Sequence, residues 1–570
     1  MQNNTKYIGK ADTAFINGHI YTSGKNGSIN QALAIQDGKF VFVGSNNEAQ
    51  SWIDRETKVI DLDERTVLPS FFEAHGHAQA MAQFMFSLDM TESESLRDCT
   101  DMVSVFISEH PDYQCITGKG WSNTFFSPTG PKKEDLDAIS KDIPIALWSV
   151  DHHSLWVNSK ALDMANITKN TKNPVGGVIE KNERGEPSGT LREGAADLVM
   201  NTIPDYTVEQ YKAGIMEYQA MANALGFTGS FDAMLTEGGN AIKAYKELAE
   251  NGGLHMYFRG VYAYNAEKDL EQISAYNEAR KADNVGELFQ INTIKFFEDG
   301  VVEGGTAYLL EPYADGAKKP KGHRGEPIWE KQNLGRIFNE LEKNHFQIHV
   351  HSIGDAATRE VLDAFEYVYN QNGISDNRHA VTHLQLVNDN DISRFAKLGI
   401  IAVANPYWFM KDDYFFNLQV PYLGKERAER EYPLNSFIKR GVMVASASDF
   451  PVTDPPNPLV GIQIGTTRIT PDFLLSLVCS DQGDPKFKEP LWAEESVGLR
   501  EMIDSFTYNA AFAHFLEKET GSIEVGKSAD MVILNDNIFN IPETEICNLK
   551  VQATFFKGEI VYRDELFIEC

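Results

Sequence analysis

The stretch Leu68-Pro-Ser-Phe-Phe-Glu-Ala-His75-Gly-His77-Ala-Gln79 places two histidines at the end of an apolar run that reads as a buried strand. Alternate residues on a strand point to the same side, so both imidazoles can reach one point just past the strand end. Neutral imidazole is a common metal ligand in proteins. The stretch therefore predicts the first half of a metal site, and the rest of the chain has to supply the other half.

Length and composition indicate a soluble enzyme. A chain of 570 residues is too long for one small core and suits a barrel-sized domain with attached pieces. Its hydrophobic content of 42% and charged content of 24% are ordinary for a globular protein. The formal net charge of −30 leaves no basic surface for phosphate backbones, so no nucleic-acid partner is expected.

Cysteine usage and hydropathy indicate a cytoplasmic protein. No CxxC motif occurs, and a disulfide framework is not expected for so few cysteines. The first ten residues lack an apolar signal core, and no segment approaches 18 uninterrupted apolar residues, so no membrane association is expected. The five cysteines are Cys99, Cys115, Cys479, Cys547 and Cys570.

The two ends of the chain share a β-rich style. Residues 12 to 68 read as short strands, and the pairs Asn17-Gly18 and Asp37-Gly38 predict hairpin turns. Residues 521 to 570 contain a turn into a strand and a further hairpin with Lys557-Gly558 near its tip. We therefore expect residues 1–68 and 521–570 to form one composite β-sandwich domain.

Between these ends, helical and strand patterns alternate. Such alternation is typical of parallel strands joined by helices, and residues 69–520 suit an elaborated (β/α)8 TIM barrel in the α/β class. Two insertions, near 90–200 and 465–495, break the alternation and are expected to roof an active site. The helices are predicted over Thr207 to Ala224, Leu334 to Lys343, Asp391 to Leu398 and Leu434 to Arg440.

Polar side chains recur where the predicted barrel strands end. Taken singly, His383 reads as a core histidine, Asp449 as a turn cap and Lys295 as a lysine whose amine reaches the surface. Their joint occurrence in one alternating domain favours a shared site, because barrel active sites gather at the carboxyl ends of the strands. The features are His75-Gly-His77, Lys295 within an apolar strand, His349-Val-His351, His383, and Asp449.

The order HxH, Lys, His, His, Asp resembles that of the amidohydrolase superfamily of metal-dependent hydrolases. More narrowly, the chain resembles the amidohydrolase-3 branch of YtcJ-like proteins, related to N-substituted formamide deformylase, over residues 12 to 563. Five further motifs support the resemblance: His153-Ser-Leu-Trp-Val-Asn-Ser-Lys-Ala-Leu, Gly185-Glu-Pro-Ser-Gly-Thr-Leu-Arg-Glu-Gly-Ala, His351-Ser-Ile-Gly-Asp, Thr507-Tyr-Asn-Ala-Ala and Gly521-Ser-Ile-Glu-Val-Gly-Lys-Ser-Ala-Asp.

The resemblance implies a metal centre with one or two divalent ions, expected to be zinc. His75 and His77 would bind the first, or α, metal together with Asp449, and His351 and His383 the second, or β, metal. Lys295 would be carboxylated on its amine and bridge both. The chemistry is allowed, because a lysine desolvated in an apolar strand loses its proton more easily and can then add carbon dioxide.

The implied activity is hydrolysis of non-peptide C–N bonds, in an amide or N-acyl amine, with a small molecule as substrate. A metal-activated hydroxide would attack the carbonyl, with Asp449 as general base and then general acid for the departing amine. His153 is our candidate to touch the substrate carbonyl or the oxyanion, although it also reads as a solvent-exposed loop histidine. The sequence is compatible with a homodimer.

Several residues keep two interpretations. His349 and His351 alternate on one strand, and His351 is favoured because it opens the Ser-Ile-Gly-Asp turn. Asp355 either orients a metal-binding imidazole or caps the helix that begins near Ala356. Trp121, Tyr308 and Trp408 either line a pocket or belong to the core.

Two substitutions depart from the pattern Pro-Gly-Phe-Ile-Asp that usually precedes the first metal-binding histidine. Ser70 stands in place of the glycine and Glu73 in place of the aspartate, and neither change removes a ligand. Glu303 lies in the loop after Asp299 and is expected to influence substrate choice.

Two rival functions remain open. A mononuclear deaminase or an esterase or lactonase would use the same activated water with one metal fewer. A metal-stabilised regulatory or binding protein without turnover would keep the ligands for structure alone.

Overall fold

The computed structural model describes residues 10–24, 27–127, 129–150, 153–174, 177–266, 268–565 and 567. The chain folds into two compact units. One unit takes Met1–Gln79 together with Ile215–Cys570, and the other takes Ala80–Gly214.

An eight-stranded parallel sheet forms the centre of the first unit. Its strands pair in chain order from β1 to β8, which confirms the predicted TIM-barrel fold. The strands are apolar along most of their length, because both faces of a barrel sheet are covered. They are β1 Phe71–Gly76, β2 Phe227–Asp232, β3 Tyr257–Ala263, β4 Phe289–Phe297, β5 Gln347–Ser352, β6 Ala380–His383, β7 Ile401–Ala404 and β8 Val444–Ser446.

The first and last strands are joined just beyond the end of β8. The backbone N–H of Asp449 donates to the carbonyl of His75 at 2.9 Å, and that of His77 donates to the carbonyl of Phe450 at 2.7 Å. These two bonds close the barrel where the HxH motif meets the segment that contains Asp449.

Amphipathic helices connect the barrel strands. The helix Lys331–Lys343 buries Leu334, Ile337, Phe338 and Leu341, which follow the i, i+3, i+4, i+7 spacing of a helix face. All four helices predicted from the sequence are present with bounds shifted by a few residues. The connecting helices are Val208–Ala224, Asn240–Glu250, Glu271–Asp283, Lys331–Lys343, Asp355–Asn372, Asp389–Leu398 and Leu434–Lys439, and β8 is followed by Pro458–Thr467, Asp472–Val478, Leu499–Phe506 and Tyr508–Ala513.

Strands from both chain ends form two sheets in the same unit. One has four strands (Lys39–Gly44, Ala32–Gln36, Thr13–Ile16 and Lys58–Asp61), and the other has six (Glu559–Arg563, Val551–Phe556, Met531–Leu534, Thr66–Pro69, His19–Tyr21 and Ile29–Asn30). The sheets share one hydrophobic core, in which Phe15 meets Phe555 edge to face at 5.5 Å. The expected β-sandwich is therefore present, while its boundaries as a separate domain stay a prediction.

One of the predicted hairpins is wrong. The strand Thr13–Ile16 pairs within the four-stranded sheet, whereas His19–Tyr21 pairs within the six-stranded sheet. Asn17-Gly18 therefore connects strands of two different sheets. A tight Asn-Gly turn fits both uses, because it fixes the local backbone and not the partner strand. The hairpins at Asp37-Gly38 and Lys557-Gly558 are confirmed.

The second unit has a mixed six-stranded sheet, where the sequence pattern predicts only an insertion. Its strands are, in spatial order, Gly177–Lys181, Pro187–Glu193, Ser154–Val157, Ile145–Ser149, Ile116–Trp121 and Leu88–Asp89. The side chain of buried Asn158 caps the helix Ser159–Met164, and its Oδ1 accepts the N–H of Ile145. Asn158 therefore has a structural role within the motif that begins at His153. The unit also contains the helices Met81–Phe86, Leu96–Glu109, Lys133–Asp137 and Asp197–Met200.

The described cysteines are all free thiols: Cys99, Cys115, Cys479 and Cys547. Cys570 lies outside the described residues. Within the described part of the chain, each helix is too short or too polar to cross a membrane.

Candidate metal centre

The residues predicted to bind metal lie at one edge of the barrel. His75 lies near the end of β1 and Lys295 near the end of β4. His351 lies in β5, and His383 is the last residue of β6. Asp449 follows β8 by three residues. Parallel strands bring their carboxyl ends to the same edge, which is why residues so far apart in sequence meet there.

Short distances join these side chains into one cluster. Nε2 of His75 lies 3.4 Å from Nζ of Lys295 and 3.4 Å from Oδ1 of Asp449. Nε2 of His77 lies 3.1 Å from the same Asp449 oxygen. One ligand atom each from His75, His383 and Asp449 falls within 4.8 Å of the others, and the His351 ring centre is 4.6 Å from that of His383.

The separations fit a metal ion among these donors. Zinc binds nitrogen and oxygen at about 2.0–2.1 Å, which places neighbouring ligands of a tetrahedral ion roughly 3.3–3.4 Å apart. The contact between Nε2 of His75 and Oδ1 of Asp449, at 3.4 Å, has this separation. The donor set of imidazole nitrogens and carboxylate oxygen is also the set that zinc and similar ions prefer.

Hydrogen bonds fix which nitrogen of each histidine faces the cluster. Nδ1 of His75 lies 2.8 Å from Nε2 of His349, and Nδ1 of His383 lies 3.0 Å from Oδ1 of Asn405. Both contacts leave Nε2 free for a metal. Such outer partners orient metal-binding histidines. Asn405 was not predicted from the sequence, although it directly follows β7 and is therefore a polar residue at the end of a barrel strand.

His349 and His351 have different positions. His351 lines the cavity and donates from Nε2 to the carbonyl of Gly300 at 3.2 Å, which leaves its Nδ1 as the free acceptor. His349 lies behind His75, with the two rings stacked at 4.9 Å, and its own Nδ1 is buried with no hydrogen-bond partner among the described residues. The geometry thus gives His349 a contact with a predicted ligand and His351 a place in the cavity wall.

Burial keeps the imidazoles neutral. It lowers the pKa values of His75 and His383 well below the usual value, and for His75 the Lys295 amine adds to the effect. Burial, followed by Lys295, lowers the pKa of His351 to about 4. Neutral imidazole is the form that binds metal, so these histidines are ready ligands at neutral pH.

Lys295 and Asp449 are shifted in directions that suit ligands. Burial lowers the pKa of Lys295 from 10.5 to about 7, against the opposing effect of Asp449. Burial alone would raise the pKa of Asp449, but the hydrogen bond from His77 and the electrostatic interactions with His383, His77 and Lys295 lower it. The amine is therefore easily neutral and the carboxylate is ionised.

Two predicted ligands have a backbone conformation that is rare for residues other than glycine. His383 has φ of 75° and Asp449 has φ of 59°. Beside His383, the N–H of Leu384 donates to the Ser352 carbonyl, and the N–H of Asp449 donates to the carbonyl of His75. Strain of this kind concentrates at functional sites, because the surrounding structure has to hold it.

Glu73 explains one departure from the sequence pattern. Its carboxyl group is fully buried and accepts hydrogen bonds from His75 N–H at 3.1 Å, Ser448 N–H at 2.9 Å and Ser448 Oγ at 2.5 Å. It thus ties the HxH segment to the segment before Asp449. The longer side chain links two elements of the site without entering it.

Asp299 is buried, and no role was predicted for it from the sequence. Its carboxylate accepts hydrogen bonds from the N–H groups of Tyr308, Ile353 and Gly354. Gly354 is required there, because a Cβ would overlap the Tyr308 carbonyl. The network fixes the loop after β4 against the end of β5.

The prediction that Asp355 caps the following helix is wrong, because Gly354 is the N-cap residue and no side chain among the described residues provides a cap hydrogen bond. Asp355 is the first residue of the helix Asp355–Asn372, and its Oδ1 accepts the N–H of Leu310.

A cavity of ≈ 580 Å³ opens onto the cluster. Phe297 is the last residue of β4, Val301 and Glu303 come from the loop after β4, and Trp408 comes from the loop after β7. Trp121 is buried in the second unit, and Tyr308 is not among the described lining residues. The lining residues that the structure describes include none from 465–495, and the roof expected from this insertion stays a prediction.

His153 lies in the second unit. Its side chain is largely exposed, and Nδ1 lies 3.1 Å from Oε1 of Glu193. Its catalytic role stays a prediction.

Comparisons with known proteins confirm the resemblance. The model of the amidohydrolase family matches residues 58–562. The chain is 28% identical over 554 residues to YtcJ of Bacillus subtilis, with 96% of this chain and 98% of that protein covered. It is 25% identical over 563 residues to N-substituted formamide deformylase of Arthrobacter pascens, with 97% and 98% covered. An uncharacterized metal-dependent hydrolase from Pyrococcus furiosus has a similar structure, with a TM-score of 0.71, 25% identity, and 91% and 98% covered.

Proposed function

Because this chain belongs to the amidohydrolase family, we propose that it is a metal-dependent hydrolase of C–N bonds other than peptide bonds, acting on a small amide or N-acyl amine. The observation that carries the proposal is the cluster of neutral histidines, a lysine with a lowered pKa and an ionised aspartate beside a cavity. Resemblance to the deformylase points to an N-acyl amine among the amides.

Six side chains would hold the metal, for which we propose zinc. His75, His77 and Asp449 would bind one ion, His351 and His383 a second, and a carboxylated Lys295 would bridge the two. A divalent metal bound by these side chains supplies Lewis acidity, which lowers the pKa of a bound water toward neutrality and polarises a substrate carbonyl.

Asp449 is the proposed general base and acid. Its lowered pKa keeps the carboxylate ionised and able to accept a proton at Oδ1, where His77 already points. After the C–N bond breaks, the same oxygen is placed to return that proton to the departing amine. His153 is proposed to contact the substrate carbonyl, and a homodimer remains a proposal for the assembly.

The cavity walls hold the substrate and exclude water. Trp408 stacks on His383 at 5.6 Å and donates from Nε1 to Thr453 Oγ1, so its indole is fixed against the cluster. Tyr407 and Tyr432 are buried in the same wall. An apolar wall beside a polar centre is the usual form of a small-molecule site.

Hydrolysis assays with zinc-loaded protein test the proposal. N-formyl and N-acetyl amines are expected to be cleaved, and esters and ring amines should be poorer substrates. Asp449→Asn should lower kcat by about 10²-fold or more, while Asp315→Asn, which alters an exposed carboxylate outside the cavity, should leave kcat unchanged. The proposal is wrong if no amide is cleaved by protein with full metal content, or if Asp449→Asn retains full activity.

A further inference from the structure

The cavity wall away from the metal centre is rich in carboxylate and aromatic groups. The loop after β4 contributes Glu303, and the loop after β7 contributes Asp412 and Tyr414. The only lysine or arginine among the described lining residues is Lys295, which belongs to the metal centre. We infer that this wall binds a positively charged group of the substrate, so that the enzyme prefers amides that have a second, protonated nitrogen. The inference rests on the proposed function for the reaction, but it concerns a separate part of the cavity.

Glu303 is available to a ligand. Its side chain is exposed at the cavity, and it forms no ion pair with any residue that the structure describes. Tyr414 faces it, and burial followed by the Glu303 carboxylate raises the pKa of that phenol. The pair offers a carboxylate and an aromatic ring together, which is the combination that recognises organic cations.

Asp412 adds a second negative group to the same wall. Its Oδ1 accepts the N–H of Phe415 at 2.8 Å, which fixes the carboxylate at the start of the π-helix Phe415–Gln419. π-Helical turns occur often at functional sites.

A buried acid lies behind the wall. Glu431 is fully buried, and its Oε1 accepts from Gln385, a cavity residue, whereas its Oε2 has no hydrogen-bond partner among the described residues. Burial raises its pKa well above the usual value, the Gln385 hydrogen bond and the Arg468 charge oppose this shift, and the carboxylates of Asp412 and Glu303 add to it.

Three cationic side chains of the surrounding segments bind other groups. The Arg468 guanidinium donates to the backbone carbonyls of Leu491, Tyr432 and Glu431. Lys319 donates to the Gly304 carbonyl, and Nζ of Lys411 lies 3.4 Å from Glu489. None of the three forms an ion pair with Glu303 or Asp412 within the described residues, so a substrate cation meets carboxylates that are not neutralised.

Three formamides of matched length test the inference. N-Formyl-pentane-1,5-diamine is cationic, N-formylhexylamine is neutral, and N-formyl-6-aminohexanoate is anionic. The inference predicts that kcat/KM falls in that order. Glu303→Gln should lower kcat/KM for the cationic compound by about five- to tenfold and for the neutral compound by less than about twofold, as expected for one charge and one ring contact.

Glu326→Gln is the matched control. Glu326 is an exposed glutamate of the same unit that does not line the cavity, and its loss changes the net charge equally. It should leave all three rates unchanged. The inference is overturned if the neutral formamide is used as well as the cationic one, or if Glu303→Gln lowers both rates alike.

Calorimetric binding of pentane-1,5-diamine to the full chain separates the two proposals. If no formamide is cleaved but the diamine binds and Glu303→Gln weakens that binding, the hydrolase proposal fails and the cation subsite stands. If the diamine does not bind, or binds both proteins equally, the cation subsite is wrong whatever the result of the hydrolysis assays.

Discussion

Nδ1 of His75 lies 2.8 Å from Nε2 of His349, with both rings buried and stacked. If Nε2 of His75 binds a metal, its proton must be on Nδ1 and be donated to His349. His349 then has its own proton on Nδ1, for which the described part of the chain provides no acceptor. The metal-binding form of His75 therefore depends on a neighbour that does not face the cavity.

Replacement of His349 by asparagine should weaken metal binding. Loss of an outer hydrogen bond of this kind typically costs about 10–100-fold in metal affinity. We expect that loss for His349→Asn in a zinc titration against a competing chelator. His345→Asn is the control, since His345 is exposed and its φ of 57° suits asparagine. Unchanged affinity in His349→Asn would mean that His75 is oriented without this partner.

Carboxylation of Lys295 should depend on pH. Burial lowers the pKa of its amine to about 7, and only the neutral amine adds carbon dioxide. At a fixed concentration of dissolved ¹³C-labelled carbon dioxide, metal-free protein should gain a carbamate ¹³C NMR signal as the pH rises through about 7. The signal should be missing in Lys295→Arg. A signal of equal size in that variant would assign the carbamate to another amine.

Asp530 should make the wild-type protein less stable as the pH rises. Its Oδ1 accepts the Lys557 N–H and the Ser528 hydroxyl, and burial raises its pKa from 3.8 to about 6 against these hydrogen bonds. The folded chain therefore retains a proton that the unfolded chain releases above about pH 4. A shift of about two units corresponds to roughly 3 kcal/mol, which is lost between about pH 4 and pH 6.

Thermal unfolding of Asp530→Asn checks this expectation. Between about pH 4 and pH 7, the stability of wild type relative to the variant should fall, because asparagine does not titrate. Asp536→Asn, at an exposed position, should follow wild type across the range. A constant difference between wild type and Asp530→Asn would show that the buried carboxyl does not change its charge in this window.

The sequence predicted the cluster because polar residues interrupt apolar strands at one recurring place. His75, Lys295, His383 and Asp449 each stand out in this way. It could not separate His349 from His351 by pattern, since alternate residues of a strand face the same side. Which of the two contacts His75 depends on the packing of β1 against β5, and only the folded structure provides that information.

Other features depend on partners that are distant in sequence. Asn17-Gly18 was predicted as a hairpin, but its flanking strands find partners in two different sheets. The carboxylate of Asp299 is buried under backbone donors of Tyr308, Ile353 and Gly354, which a loop sequence does not reveal. In the second unit, helices such as Leu96–Glu109 and Lys133–Asp137 separate some strands and turns separate others, so no regular pattern predicted its sheet.

The central claim is that the side chains at the barrel edge bind a divalent metal. Anomalous X-ray diffraction from crystals of zinc-loaded protein, measured on both sides of the zinc absorption edge, tests it most directly. We expect an anomalous peak within bonding distance of His75, His383 and Asp449, with continuous electron density from the Lys295 side chain to that peak. If zinc-loaded protein shows zinc peaks at full occupancy elsewhere and no peak among these residues, the proposed metal site is wrong.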